Sequence, residues 1–365
     1  MTFEATAAVL NEPGGSFELK TVTLDDLQAD ELLIRIQASG ICHTDIAAQG
    51  MLTMPAVLGH EGMGVVEQIG SGVDGIKAGD RVVISYGFCN SCPGCQEGKP
   101  FICDNSVSTN FGGTRIDGSH TTKLDGADIT ASFFQQSSFA SHAITSARNV
   151  VRVENEMEPQ LLAPLGCGIM TGAGSILNTL KVGAKDSLVV FGAGTVGLSA
   201  IMAARLADAA PIIAVDVNRG RLDLALELGA THALDANEGD IPGRVKEICP
   251  RGVRFSFETS GVDQALDDAI ESLGMGAICG IVTVPHYGEK YPFTPFGIFV
   301  KGAALQGIFF GSAVPNSFLP KIIEHYQAGQ FPYDRLVRTY DFADINTAIA
   351  DTQSGEVIKP VLMMN

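Results

Sequence analysis

The chain has 365 residues, a length that predicts roughly two domains. Acidic residues outnumber basic ones 41 to 24, and the resulting formal charge of −17 disfavours nucleic acid as a partner, because duplex binding depends on Lys and Arg. Apolar residues make up 45% of the chain and charged residues only 18%, which excludes a disordered protein and predicts an extensive core.

The N-terminus and the eight cysteines bear on the cellular compartment. Residues 1–6 lack the basic segment followed by an apolar one that marks a signal peptide. The uncharged run at 187–204 approaches membrane-spanning length, but three glycines interrupt it, so we expect no membrane partner. We therefore expect a soluble protein of the reducing cytoplasm, where cysteines can serve as metal ligands.

The first 150 residues carry strand patterns. Alternation at 31–38 and branched apolar runs at 64–69 and 80–84 predict β-strands, and the glycine-rich stretch 70–75 predicts a turn. This part of the chain is therefore expected to be rich in β-structure.

Beyond residue 187 the pattern changes to strands that alternate with helices, which predicts parallel βαβ units. The strands are expected at 188–191, 212–215, 255–258 and 277–282, with one helix ending at Ala207 and another at 262–273. The C-terminal tail is expected to hold a helix at 317–328 and a closing strand at 358–363.

A glycine-rich turn follows the first of these strands and opens a helix, in the sequence Gly192-Ala-Gly-Thr-Val-Gly197. Gly192 permits a tight turn, Gly194 lets a pyrophosphate approach the backbone, and Gly197 allows close packing of helix on strand. A phosphate bound there would lie at the positive end of the helix dipole. An ordinary turn with nothing bound is the alternative.

Asp216 strengthens the dinucleotide interpretation, because it ends the next strand, 19 residues after Gly197. A carboxylate at this position accepts hydrogen bonds from the ribose hydroxyls and repels a 2′-phosphate. The sequence therefore favours NAD, while Arg219 and Arg221 nearby keep NADP open.

Four cysteines lie close together in the sequence, at Cys89, Cys92, Cys95 and Cys103. Four thiolates at such spacings can converge on one tetrahedral zinc, and a filled shell predicts a structural rather than a catalytic site. An iron–sulfur cluster is the main alternative, since related spacings hold clusters too.

Three further candidate ligands, Cys42, His60 and Cys167, are far apart in the sequence. From their spacing alone they are equally compatible with two core thiols and a histidine satisfied by packing. Cys249 and Cys279 fall in βαβ-type segments and are expected to be core thiols. The other histidines lack partners at a ligand spacing and are interpreted as ordinary, at positions His120, His142, His232, His286 and His325.

Taken together, these motifs resemble the zinc-dependent medium-chain alcohol dehydrogenases, and most closely the aryl, benzyl-type members. The resemblance covers nearly the whole chain. It is carried by residues 40–45, 59–64, the four-cysteine segment, 166–168, the glycine turn and 358–362, and for the aryl members by 85–87, 110–119 and 133–140.

The resemblance implies an α/β fold in which a GroES-like, β-rich catalytic domain is joined to a doubly wound Rossmann domain. The catalytic domain is expected to comprise 1–168 and 310–365, and the NAD-binding domain 169–309, with zinc and nicotinamide in the cleft between them. It further implies a homodimer or homotetramer, and the phenylalanine-rich segment Tyr291–Phe299 is expected to form a subunit contact.

Carried over to this sequence, the family pattern makes Cys42, His60 and Cys167 the ligands of a catalytic zinc, with a second, structural zinc on the four clustered cysteines. Asp45 would orient a ligand from outside the metal shell, and Glu61 would approach the metal during ligand exchange. The expected cofactor-binding residues are Gly192, Gly194, Gly197, Asp216, Arg221, Thr171, His43 and Lys359.

The reaction implied is hydride transfer between a primary alcohol, aromatic or allylic, and NAD⁺, which yields the aldehyde. Zinc lowers the pKa of the bound alcohol, and Thr44 is the expected first acceptor of its proton. Some family members end the proton relay with a histidine where this chain has Ala47, so the relay is expected to end in water or at His43.

Two other functions stay open at this stage. A glutathione-linked formaldehyde dehydrogenase would use the same zinc and cofactor residues. A non-enzymatic zinc scaffold that binds a nucleotide would have the structural zinc and the cofactor site without an open metal site.

Overall fold

The computed structural model describes residues 3–154, 156–283 and 295–364. His286 and the segment 291–294 of the expected subunit contact lie outside these ranges. The chain divides into two compact units, the first comprising Met1–Gly168, Val314–Lys321 and Asp334–Asn365 and the second Ile169–Ala313 and Ile322–Tyr333.

The described residues form strands and helices that alternate in two different ways. The strands are β1 (Phe3–Leu10), β2 (Phe17–Leu24), β3 (Glu31–Gly40), β4 (Ala56–Val57), β5 (Glu61–Ile69), β6 (Arg81–Ile84), β7 (Thr122–Leu124), β8 (Ala127–Asp128), β9 (His142–Ser146), β10 (Val150–Arg152), β11 (Leu188–Phe191), β12 (Ile212–Asp216), β13 (His232–Asp235), β14 (Val253–Glu258), β15 (Leu273–Ile281), β16 (Ala304–Gly307), β17 (Val337–Asp341) and β18 (Lys359–Met363). The α-helices are α1 (His43–Ala47), α2 (Pro93–Gln96), α3 (Ser106–Phe111), α4 (Pro159–Leu162), α5 (Gly168–Gly174), α6 (Thr195–Leu206), α7 (Arg219–Leu228), α8 (Ile241–Ile248), α9 (Asp263–Glu271), α10 (Phe296–Lys301), α11 (Pro315–Gln327) and α12 (Ile345–Ser354), and a π-helical turn, Ser175–Leu180, continues α5.

The first unit is built on two sheets, counted over the residues that the structure describes. One has the strand order β4-β1-β2-β7-β8, and the other has the order β10-β6-β5-β3-β18-β17 with β9 also paired to β3. Leu32, Ile34 and Ile36 alternate along β3 and pack against Val66 and Ile84 of the neighbouring strands.

The register of β3 on β5 begins to assemble the site. Gly40 at the end of β3 lies opposite Glu61 at the start of β5 in an antiparallel pair. Cys42 follows β3 by two residues and His60 immediately precedes β5, so this register brings the two expected ligands to the same end of the pair.

The second unit contains a parallel sheet whose described strands have the order β13-β12-β11-β14-β15-β16. Every one of these pairings is parallel. This is the order of a doubly wound dinucleotide-binding fold, with β11 at the centre and ligand binding expected at the carboxyl ends of the strands. The predicted fold class is confirmed.

The predicted elements correspond closely to the observed ones, with one shortened helix. The segment 262–273 forms α9 only from Asp263 to Glu271, because Leu273 already starts β15. The uncharged run at 187–204 is divided between β11 and α6. Cys279 is buried in the core of the second unit and Cys249 packs partly buried against the same core.

No single helix in the described part of the chain is both long and apolar enough to cross a membrane; one pair bent by 56°, Pro159–Gly166 with Gly168–Leu180, meets the criteria of length and composition alone.

Candidate metal centres and dinucleotide site

The four clustered cysteines converge in the first unit. Their donor atoms all lie within 4.8 Å of one another, and Cys89 Sγ is 3.5 Å from Cys103 Sγ and 4.0 Å from Cys95 Sγ. Tetrahedral zinc with Zn–S bonds of about 2.3 Å places its sulfur atoms about 3.8 Å apart. The cluster therefore has the dimensions of a four-thiolate zinc site.

The local backbone explains why these thiols meet. Pro93 occupies the first turn of α2, where its missing N–H costs nothing. A side chain at Gly94 would lie 2.7 Å from the carbonyl oxygen of Ile102, so only glycine lets the segment that carries Cys103 approach. Backbone N–H groups point at the sulfur atoms, that of Cys92 at Cys89 Sγ and that of Asp104 at Cys92 Sγ, both at 3.4 Å. Such donors stabilise thiolates.

A second cluster unites residues that are distant in sequence. One donor atom from each of Cys42, His60, Glu61 and Cys167 lies within 4.8 Å of the other three. Cys42 precedes α1, His60 precedes β5 and Cys167 precedes α5, so three separate chain segments supply the site. The structure thus brings together the three expected ligands together with Glu61.

His60 is held for metal binding through one ring nitrogen. Its Nδ1 lies 2.8 Å from Asp45 Oδ1, while the buried Nε2 has no hydrogen-bond partner among the described residues. Burial opposes a charged ring, but Asp45 outweighs it and raises the pKa of His60 to about 10. A ring nitrogen fixed by a carboxylate beside an unpartnered one is the arrangement of a zinc-ligating histidine.

Asp45 organises this cluster from within α1. Its carboxylate accepts hydrogen bonds from the backbone N–H of Cys42 at 2.9 Å and from that of Gly59 at 3.1 Å, besides contacting His60. The expected role of Asp45 outside the metal shell therefore has a geometric basis in three contacts to ligand-bearing segments.

The two thiols of the second cluster share a proton. A hydrogen bond with Cys167 lowers the pKa of Cys42 well below its usual value, and the same bond raises the pKa of Cys167 well above it. Two thiols, an orphaned imidazole nitrogen and a tetrahedral spacing fit zinc, which leaves a fourth position open.

Glu61 and Lys359 form a buried ion pair beside the same cluster. Lys359 Nζ lies 2.9 and 2.8 Å from the two carboxylate oxygens and 3.0 Å from the carbonyl oxygen of Ile41. These three bonds use all three ammonium donors. The expected pyrophosphate contact of Lys359 is therefore corrected: in this structure the side chain neutralises Glu61 instead.

Thr44 and His43, the other expected catalytic residues of α1, differ in exposure. Thr44 is half-buried with its Oγ1 3.7 Å from Cys42 Sγ, so its hydroxyl borders the cluster. His43 and Ala47 are both exposed.

Phenylalanine side chains cover one side of His60. Phe134 stacks on the imidazole with ring centroids 4.4 Å apart, and Phe133 meets it edge-on at 5.6 Å. Phe111 contacts Phe134 at 5.2 Å. The ligand thus borders an aromatic, apolar wall.

The glycine turn of the second unit has the expected geometry. Gly192 has a φ of +93°, and a side chain at Gly197 would lie 1.8 Å from the carbonyl oxygen of Gly192. The space around Gly194 is open, with no atom of the described residues within 4 Å of a Cβ placed there. A tight turn, close packing and an open approach are what a pyrophosphate-binding turn requires.

Asp216 closes onto this turn. Its Oδ2 accepts the N–H of Ala193 at 2.6 Å and its Oδ1 accepts that of Asn218 at 2.8 Å. Each carboxylate oxygen keeps a second lone pair for a hydroxyl. Arg221 N donates to the Asn218 side chain at the start of α7, and Arg219 points one guanidinium nitrogen to within 3.9 Å of Asp235.

Thr171 lies half-buried in α5, where its carbonyl oxygen accepts a hydrogen bond from Ser175 Oγ at 2.7 Å.

The chain matches two family models and many known proteins along these elements. The Alcohol dehydrogenase GroES-like domain matches residues 28–155, and the Zinc-binding dehydrogenase family matches residues 195–327. Geraniol dehydrogenase of Castellaniella defragrans is 41% identical over 363 residues, which cover 98% of this chain and 97% of that protein. The chain belongs to the zinc-dependent medium-chain alcohol dehydrogenase family.

Two further relatives of this alcohol dehydrogenase family are similar over their full length. The crystal structure of benzyl alcohol dehydrogenase from Acinetobacter calcoaceticus has a TM-score of 0.95 and 39% identity, covering 100% of both chains. S-(hydroxymethyl)glutathione dehydrogenase of Komagataella pastoris is 31% identical over 370 residues, which cover 98% of this chain and 97% of that protein. Membership confirms an alcohol dehydrogenase that acts on small-molecule alcohols and implies zinc and a nicotinamide dinucleotide.

Sequence reasoning missed two residues of this alcohol dehydrogenase that contact the second cluster. Phe134 and Gln136 entered only as part of the resemblance at 133–140, without a role. Their contacts to His60 are made across the fold, and nothing in their spacing signals them.

Proposed function

We propose that the protein is a zinc-dependent oxidoreductase that transfers hydride between a primary aryl or allylic alcohol and NAD⁺, giving the aldehyde. The observation that carries the proposal is the convergence of Cys42, His60 and Cys167 on one point, with the Nε2 of His60 unpartnered among the described residues. A three-ligand zinc keeps one position for substrate, whereas a scaffold would need only the closed four-cysteine site.

Zinc at this site supplies a Lewis acid that lowers the pKa of a bound alcohol. The chain's own residues then handle the proton. The Thr44 hydroxyl, 3.7 Å from Cys42 Sγ, is the nearest described group suited to accept it. With Ala47 exposed on the same helix, the relay ends in water or at His43, which is also exposed.

Glu61 serves as a fourth protein group at the metal. Its carboxylate lies within 4.8 Å of the three ligand atoms and is neutralised by Lys359. This position supports its proposed approach to the metal during ligand exchange.

The preference for aromatic or allylic alcohols is supported by the side chains next to His60. Phe111, Phe133 and Phe134 offer ring faces and edges but no polar group, and aromatic rings pack favourably on one another. Geraniol, an allylic alcohol, and benzyl alcohol are the substrates in the names of two similar proteins.

NAD is preferred to NADP because of Asp216. Its carboxylate is fixed beside the glycine turn by Ala193 and Asn218, where a 2′-phosphate would meet a negative charge. Arg219, which could offset that charge, is directed toward Asp235 and Glu238. The open space at Gly194 would admit the pyrophosphate, with His43, Thr171 and Arg221 as further proposed cofactor contacts.

The experiment is a substrate panel with metal analysis. Purified protein is assayed by NADH formation with benzyl alcohol, geraniol, ethanol and S-(hydroxymethyl)glutathione, and its zinc content is measured. Two zincs per chain and faster turnover of benzyl alcohol or geraniol than of ethanol are expected. One zinc, or activity only with the glutathione adduct, would contradict the proposal, and the 31% identical relative makes that adduct the necessary comparison.

A further inference from the structure

Gln136 is a buried side chain that the proposed chemistry does not use. It is 1% exposed, and its Nε2 donates to the carbonyl oxygen of His60 at 2.9 Å and to that of Ser85 at 3.3 Å. Its Oε1 accepts the N–H of Gly62 at 3.0 Å. One primary amide thus bonds to the backbone on both sides of Glu61 and to the end of the adjacent strand β6.

Ser85 extends these contacts to the third zinc ligand. Its hydroxyl is fully buried and donates to the carbonyl oxygen of Gly166 at 2.9 Å, one residue before Cys167. A continuous set of hydrogen bonds therefore runs from His60 through Gln136 and Ser85 to Gly166. It joins the backbones of two ligands that are more than a hundred residues apart.

The turn that carries Gln136 is strained, which indicates that its position is over-determined. Phe134, Gln135 and Ser137 have φ angles of +51°, +55° and +48°, in the left-handed region that bulky residues rarely occupy. Ser137 Oγ accepts the N–H of Phe133 at 2.9 Å and donates to the carbonyl oxygen of Val57 at 2.6 Å. Such strain persists only where the surroundings enforce it, and it concentrates at functional sites.

We propose that Gln136 is a positioning residue for the catalytic zinc: by bridging His60 and Ser85, it fixes the separation of the His60 and Cys167 ligands. This inference rests on the proposed function, because it requires zinc at that cluster. The physical reason is that a metal site with open coordination depends on ligands already held at the correct spacing, and groups outside the metal shell set that spacing.

Gln135 provides a matched control in the neighbouring position. It is also a buried glutamine on the strained turn, and its Nε2 also donates to two backbone carbonyls, those of Thr109 at 3.1 Å and Thr114 at 2.8 Å. Neither of these carbonyls belongs to a segment that carries an expected ligand of the catalytic zinc. Replacement by methionine keeps the length of either side chain and removes only the hydrogen bonds.

The test compares zinc release from Gln136→Met and Gln135→Met in the zinc-loaded, full-length protein. Zinc transfer to a chromophoric chelator is followed over time, and the phase missing from a Cys42→Ser variant identifies the catalytic site. We expect Gln136→Met to release that zinc about ten-fold faster than the wild type, the lower end of the effect of such outer groups. Gln135→Met should release it at the wild-type rate even where its thermal stability falls equally.

Equal release of this zinc from the two variants would overturn the inference. A Ser85→Ala variant, which removes one hydroxyl and is the milder change, should also accelerate release, and an unchanged rate would count against the network. In cobalt-substituted protein, Gln136→Met should shift the thiolate-to-cobalt absorption, whereas Gln135→Met should not. A wild type that lacks the second zinc altogether would refute the proposed function instead, so the two failures are distinguishable.

Discussion

Lys359 Nζ lies 2.8 Å from a carboxylate oxygen of Glu61, and the two side chains are 2% and 0% exposed. Two opposite charges are thus buried together beside the candidate zinc ligands. Removing one partner of a buried pair leaves an uncompensated charge, which destabilises more than the pair itself stabilises.

We expect Lys359→Met to lower the free energy of unfolding by about 3–5 kcal/mol, measured by urea denaturation. The double variant Glu61→Gln with Lys359→Met should recover much of that loss, because no charge is then left buried. A double variant as unstable as the single one would show that the lysine contributes by packing rather than by charge.

The glycine turn gives a prediction about cofactor affinity. Gly194→Ala should fold normally, since its φ is not in the left-handed region and the space is open, but it should weaken NAD⁺ binding at least ten-fold by occupying the pyrophosphate approach. Gly183→Ala, where a side chain would make only an ordinary contact at 3.6 Å with Asp186, is the control. Equal NAD⁺ affinity in the two variants, by fluorescence titration, would contradict this assignment.

Asp216 gives a prediction about cofactor choice. Asp216→Ser removes the charge that opposes a 2′-phosphate, so the ratio of kcat/KM for NADP⁺ to that for NAD⁺ should rise at least ten-fold. Asp235→Ser, which removes the carboxylate paired in register on the next strand, should leave the ratio near the wild-type value. An unchanged ratio in Asp216→Ser would argue against ribose recognition by this residue.

The proton relay predicts a difference in pH dependence. The wild type has alanine at position 47, so its pH–rate profile should lack a step from a histidine there, whereas Ala47→His should add an inflection near the ordinary histidine pKa of about 6.5. His43→Gln distinguishes the two proposed relay ends, because it changes the profile only if His43 takes part. Identical profiles for the wild type and Ala47→His would disagree with the relay.

The two metal clusters should be separable by single substitutions. Cys42→Ser should lose activity and one zinc per chain, while the other zinc stays bound. Cys103→Ser should lose the other zinc and lower thermal stability, because that metal closes a loop of its own. Cys249→Ser, a thiol packed against the core of the second unit, should keep both zincs.

The sequence indicated the fold and the separate site segments because both depend on local patterns. Strand alternation, the glycine turn and the cysteine spacing are each visible within a few residues, and the observed β11, α6 and four-cysteine cluster match them. The convergence of Cys42, His60 and Cys167 depends on the pairing of β3 with β5, which periodicity alone does not specify. Only the family resemblance anticipated it.

Two features could not be anticipated for a related reason. Lys359 was expected to reach a phosphate, but its environment is decided by Glu61, almost 300 residues earlier in the chain. Gln136 contacts His60 through backbone carbonyls, and these groups are the same in every residue. A sequence therefore carries no direct signal of which carbonyl a glutamine will bind.

The spacing of the two ligand sets has a consequence for how the protein acquires its metals. The cluster from Cys89 to Cys103 is contained in one short stretch, so it can capture zinc while the ribosome is still adding the rest of the chain. The site of Cys42, His60 and Cys167 cannot close before residue 167 has emerged and β3 has paired with β5. The order of loading is thereby written into the chain: the metal that shapes a loop comes first, and the metal that meets the substrate comes last.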